Sequence, residues 1–142
     1  MLSKIFIYGS LITPSNNFSK KIIDNSDYIS DGKVKGRLYL LGNYPGAVIE
    51  ESEKSIHDIK GKLFRLNNTG VLKELDKYEQ YFKSSPSKSL FIRRAVLVTD
   101  EEGIRHRAWI YIYNRPVDNR KSIRGGDYNR YRLSRRRKVA VN

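Results

Sequence analysis

Cysteine is missing from all 142 residues, which removes any disulfide framework, thiolate zinc site or cysteine nucleophile. That suits a reducing compartment. Long apolar runs are missing too: the first, residues 5–8, breaks at Gly9 and Ser10, too soon for a signal-peptide core or a membrane span. A soluble, cytoplasmic protein with no membrane contact is expected. Histidine is scarce, and His57 and His106 both lie in charged polar stretches, where surface roles are expected rather than catalysis. Acidic residues are outnumbered, 15 against 28 lysines and arginines, for a net charge of +13.

The excess positive charge is concentrated at one end. Residues 115–142 hold ten lysines and arginines against Asp118 and Asp127, a net +8 that leaves +5 for residues 1–114. The length fits a single domain, read as residues 1–128, followed by a basic tail at 129–142. Arg135, Arg136, Arg137 and Lys138 would suit phosphate contacts with RNA or DNA, but a solvated, partly disordered arm is the favoured reading.

Along the chain, residues 34–41, 47–50, 59–66, 90–98 and 107–113 read as strands, in addition to 5–8. Residues 18–23 suggest a turn or two of helix. Asn67, Asn68 and Thr69 are N-cap candidates for a helix over 71–82, and residues 100–103 have the composition of a hairpin turn. Several strands without strand–helix alternation indicate an α+β domain with a curved or closed sheet.

Two features carry chemistry. The strand at 5–8 stops at a glycine, so the backbone N–H groups of Gly9, Ser10 and Leu11 can converge on an anion at the end of a buried strand. The second feature is Glu79. At roughly 100° per residue, the apolar arc of the helix holds Val71, Leu72, Leu75, Tyr78 and Phe82, and Glu79 falls between Leu75 and Leu72. A carboxylate on a core-facing arc takes up a proton or finds a partner. Arg93, Arg94 and Lys62 are the candidate partners. Without them, burial would raise its pKa toward neutrality, as suits a group that accepts and returns a proton.

The ordered blocks Ile-Phe-Ile-Tyr-Gly-Ser-Leu (5–11), Gly-Arg-Leu-Tyr-Leu-Leu-Gly-Asn-Tyr-Pro-Gly-Ala (36–47), Gly-Lys-Leu-Phe (61–64), Leu-Asp-Lys-Tyr-Glu (75–79) and Ala-Trp-Ile-Tyr-Ile-Tyr (108–113) resemble γ-glutamylcyclotransferase-like proteins, most closely the γ-glutamylamine cyclotransferase branch. The resemblance implies a small mixed β-barrel with flanking helices. It also implies an enzyme that cyclises a γ-glutamyl group to 5-oxoproline and expels the attached amine or amino acid, with no metal or other cofactor. Tyr8, Gly9, Ser10 and Leu11 match the loop whose backbone cradles substrate in the family, and Glu79 matches its general base and acid. The leaving group and the oligomeric state stay open.

Rival readings stand beside this one. Ser10 as a nucleophile lacks a Gly-x-Ser-x-Gly elbow. A catalytically silent domain of this fold would bind nucleic acid through the Arg-rich end, with Tyr128 and Tyr131 interleaved. Trp109, Tyr111 and Tyr113 are first core or cross-strand packing and second a pocket wall, and Tyr44, Pro45 and Gly46 are first a turn and second a rim. The chain also departs from the family pattern. Gln80 stands where glycine often follows the glutamate, Lys62 replaces a glutamate, Phe91 or Ile92 replaces a tyrosine, and Gly126-Asp127-Tyr128 replaces Gly-Asp-Trp.

Overall fold

Residues 5–8 are apolar without interruption because both faces of their strand are covered. Phe6 and Tyr8 point into one buried cluster with Val34, Leu38, Ile59, Leu63 and Ile110. Ile5 and Ile7 point the other way, into a cluster with Ile22, Leu72, Leu75 and Tyr111. The alternation of side chains along the strand therefore divides the core into a barrel interior and a layer under the helices. The computed structural model that shows this describes residues 2–9, 17–52 and 54–141, with the backbone alone for residue 17 and residues 136–141.

The strands are β1 (Lys4–Ile7), β2 (Ser26–Leu40), β3 (Pro45–Ile49), β4 (Asp58–Leu66), β5 (Phe91–Asp100) and β6 (Arg105–Tyr113). The sheet runs β1-β4-β2-β3-β6, and β6 pairs back onto β1 to close it. Two joints are parallel, β1–β6 at Ile5 and Trp109 and β3–β6 at Ala47 and Ile112, and the others are antiparallel. β5 lies antiparallel to β6 and touches β2 at Gly32 and Lys33. Helices α1 (Asn17–Asp24), α2 (Val71–Tyr78) and α3 (Tyr128–Val141) flank this barrel. The expected α+β class and small mixed barrel are what the chain forms. Residues 100–103 do make the turn between β5 and β6, with Gly103 at φ 82° and its N–H on the Asp100 carbonyl.

Two expectations need correction. β2 begins eight residues earlier than the hydrophobic pattern indicates, because residues 26–33 are mostly polar and their strand is held by its backbone ladder to β4, from Ser26–Leu66 to Lys35–Asp58. The helix expected over 71–82 ends at Tyr78. There the Tyr81 N–H bonds the Asp76 carbonyl and the Gln80 N–H bonds the Lys77 carbonyl, a Schellman closure with Gln80 in the left-handed position at φ 55°. Tyr78 and Phe82, read as core, are in consequence half exposed.

The entry to α3 is fixed by a close approach. Gly126 (φ 64°) passes so near β4 that a Cβ would lie 1.8 Å from the Asp58 carbonyl oxygen, so only glycine fits. Two residues on, Tyr128 is buried and its hydroxyl donates to the Asn43 carbonyl at 2.6 Å. Residues 129–141, read from sequence as part of a basic tail, continue this helix with Arg135 exposed. Among the described residues no helix is long and apolar enough to cross a membrane.

A left-handed Gln is strained where glycine is not. Gln80→Gly is expected to raise the unfolding free energy in urea by about 0.5–1 kcal/mol, net of glycine's greater unfolded-state entropy. A loss of stability would contradict this account of the turn.

Candidate functional site

The early stop of α2 has a chemical consequence. Glu79, one residue beyond the last helical position, caps the helix with φ −83° and ψ 2°. From there it lines a cavity of about 530 Å³ that also takes in Tyr8 and Gly9 at the end of β1, Phe18 and Ser19 of α1, Tyr44 and Pro45 at the start of β3, Tyr111 of β6 and Arg132 of α3. Among the described lining residues Glu79 is the one carboxylate and Arg132 the one cation. Ser10 and Leu11, expected to complete the anion cradle with Tyr8 and Gly9, lie outside the described residues.

Burial drives Glu79 from an ordinary carboxylate pKa up to about 7. The salt bridges that would have prevented this are formed elsewhere: Arg93 pairs with Asp76 at 2.8 Å, Lys62 with Asp31 at 2.7 Å, and Arg94 with Glu51. None of the three candidate partners is paired with Glu79.

The walls of the cavity are braced by hydroxyl groups that stay protonated. The Tyr8 hydroxyl donates to the Tyr111 carbonyl at 2.5 Å and accepts from the Ala47 N–H at 3.3 Å, which ties the end of β1 to β6 and β3. Burial, and then the nearby charge of Glu79, push its ionisation far upward. Tyr111 donates its own hydroxyl to Asp76 at 2.7 Å, and its ionisation is raised first by burial and then by that bond. Asp76 also receives Nε and Nη2 of Arg93 at 2.8 and 3.2 Å, while the guanidinium lies 4.3 Å from the Trp109 ring centroid. The last turn of α2 is thus fastened to β5 and β6 three residues before Glu79.

A buried carboxylate with a pKa near neutrality, facing the end of a strand inside an aromatic-walled cavity, can move a proton for a small ligand. Comparison with known proteins agrees in kind. Residues 5–130 match the family described as "Gamma-glutamyl cyclotransferase, AIG2-like". The chain belongs to the AIG2-like γ-glutamyl cyclotransferase family. It is 31% identical over 134 residues to the γ-L-glutamyl-butirosin B γ-glutamyl cyclotransferase of Niallia circulans, covering 93% of this chain and 79% of that protein. It is 31% identical to the family protein YtfP of Escherichia coli, whose solution structure superposes with a TM-score of 0.61 over 88% of this chain and 95% of that one. YkqA of Bacillus subtilis, 22% identical, shares the fold with a TM-score of 0.69 over 96% of this chain, which spans 43% of its length.

Within this family fold, the remaining aromatic and histidine residues divide between the cavity and its surroundings. Tyr44 and Pro45 line the cavity while Gly46 does not, and Tyr111 walls it. Trp109 instead donates Nε1–H to the Leu2 carbonyl at 3.0 Å and underlies Arg93, and Tyr113 packs on Phe91. His57 sits with Glu50 and Arg37, and His106 with Asp100 and Lys4, and neither lines the cavity. Sequence reading missed Arg132, which was counted with the tail. The signal was available in its spacing, four residues after Tyr128, which puts both on one helix face.

The Asp76–Arg93 pair is largely buried, at 16% and 12% side-chain exposure. Asp76→Asn should leave a buried guanidinium without its counter-charge and cost about 3 kcal/mol in urea unfolding, and adding Arg93→Met should restore much of the loss. A single variant within 1 kcal/mol of the parent would show that the pair does not fasten α2.

Proposed function

We propose that this protein converts a γ-glutamyl-amine or γ-glutamyl-amino acid to 5-oxoproline and the free amine or amino acid. The observation that carries the reading is Glu79: a carboxylate raised to about 7 by burial, without an ion-pair partner among the described residues, lining the cavity that Tyr8 and Gly9 also border. The cysteine-free sequence supports a cytoplasmic setting.

The reaction forms one bond and breaks another. Glu79 takes a proton from the α-ammonium group of the substrate, and the freed nitrogen attacks the δ-carbonyl carbon of the same glutamyl group. The tetrahedral intermediate collapses when the protonated Glu79 gives its proton to the departing nitrogen; the ring nitrogen gives up its second proton, which leaves with the amine as its ammonium form, and the ring C–N bond replaces the original amide bond. A pKa near 7 suits both halves of this exchange. Holding the glutamyl chain curled supplies a further part of the rate by orientation, and backbone N–H groups of Tyr8, Gly9, Ser10 and Leu11 would hold the carboxylate or the developing oxyanion. The protonated, hydrogen-bonded hydroxyls of Tyr8 and Tyr111 keep the wall neutral around the one charge that moves.

Glu79→Gln is expected to keep the fold and reduce 5-oxoproline release by about 10²–10⁴-fold. In the parent, kcat/KM should rise with pH through a midpoint near 7, because the base must be deprotonated to begin the reaction. A glutamine variant that turns over γ-glutamyl compounds at the parent rate would end this assignment.

A further inference from the structure

We propose that the mouth of the cavity is a subsite for an aromatic leaving group, with Tyr44 and Tyr78 as its specificity-determining residues, so that γ-glutamyl conjugates of aromatic amines are preferred to those of alkyl amines. This rests on the cyclotransfer reading of the same cavity. Both rings line the cavity, yet Tyr44 is 47% and Tyr78 50% exposed. The uncovered part of each ring contributes nothing to folding, since apolar area stabilises only when it leaves water. Single exposed apolar side chains are ordinary on a protein surface, and Ile23, Phe82 and Leu133 are of that kind, because none of them lines the cavity. Tyr44 and Tyr78 differ in standing at its edge.

Each of the two begins a row of rings that runs inward. The Tyr78 ring centroid lies 5.4 Å from that of Phe18, which lies 6.0 Å from that of Tyr111, a residue only 3% exposed. The Tyr44 centroid lies 6.4 Å from that of Phe91, which is 4% exposed. These are the separations of interacting aromatic pairs, and a further ring entering the mouth meets the outer member of a row. Exposure also orders the cavity. Its exposed lining residues, Asn43, Tyr44, Tyr78 and Gln80, are uncharged. Arg132 is only partly exposed, with its guanidinium carbon 6.0 Å from the Tyr128 ring centroid. Glu79 is less exposed than Tyr78 beside it. The glutamyl group must bring its α-amine to Glu79, so that charged end enters first, and the leaving group trails outward past neutral, aromatic surface. At about 530 Å³ the cavity has the capacity of sites that hold drug-sized ligands, more than a glutamyl chain alone fills.

The test compares γ-glutamyl-phenylethylamide, γ-glutamyl-cyclohexylethylamide and γ-glutamyl-ethylamide, assayed with the full chain and 5-oxoproline as readout. In the parent, kcat/KM is expected to favour the phenyl compound over the ethyl one roughly 10–100-fold, through burial of the ring. It should favour the phenyl compound over the cyclohexyl one about 2–10-fold, through ring–ring contact that a saturated ring of similar size does not make. Both preferences should lie mostly in KM. Tyr44→Leu combined with Tyr78→Leu keeps apolar bulk without the outer rings and should bring the phenyl-to-cyclohexyl ratio close to one, each single variant lowering it part of the way. Tyr44→Phe combined with Tyr78→Phe should keep the ratio. Equal turnover of the phenyl and cyclohexyl compounds in the parent, or a preference intact in the leucine variants, overturns the subsite alone. Loss of the preference in the phenylalanine variant also overturns it, by pointing to the hydroxyl groups. No 5-oxoproline from any of the three compounds overturns the cyclotransfer reading and the proposal with it.

Discussion

Asp76 grips the end of α2 from two sides. Its carboxylate accepts Arg93 from β5 and Tyr111 from β6, and its carbonyl accepts the Tyr81 N–H that closes the helix. The helix therefore cannot continue as its apolar pattern would allow, and Glu79 is delivered to the cavity as a cap residue rather than to the core as a helical one. One of the two strands Asp76 anchors to, β6, belongs to the closed barrel whose β1 ends at Tyr8 and Gly9. One interaction thus sets the separation between the carboxylate and the strand end that faces it. Because Arg93 is committed to Asp76, it is also withheld from Glu79.

This division of charges explains how a protein with +13 net charge keeps a carboxylate protonated near neutral pH. The strongly shifted group is surrounded by neutral hydroxyls and aromatic rings, while Arg93 is taken up by Asp76 and Lys62 and Arg94 pair at the surface. Folding accepts the cost of that arrangement. Above pH 7 the charged form of Glu79 opposes stability, whereas between about pH 4.5 and 7 the folded state keeps a proton the unfolded chain has lost, so stability from this group falls as pH rises through that window. Strain at Gln80 is a second local cost at the same turn. Both accumulate next to the cavity, as is common where structure serves chemistry.

Much of this was legible in the residues. The barrel strands announced themselves by apolar runs, and five ordered sequence blocks pointed to the family that comparison then showed. Glu79 was visible as a carboxylate on an apolar arc, although the arc extends about one turn beyond the true end of the helix. The end of the helix was not legible because glutamine carries no preference for the left-handed region, and only the carbonyls of Asp76 and Lys77, once in place, require it at residue 80. Residues 26–33 hid a strand because its partner ladder, not its side chains, holds it. Arg132 was hidden by composition: in a run rich in arginine, no single one stands out until Tyr128 fixes which face of α3 looks into the cavity.

The central claim is that burial alone, without a counter-charge, gives Glu79 a near-neutral pKa. A ¹³C NMR titration of the glutamate side-chain carboxyl carbons, with the Glu79 signal identified by its loss in Glu79→Gln, measures it directly. A midpoint of about 7 is the expected result. A midpoint in the ordinary glutamate range near 4.5 would contradict it.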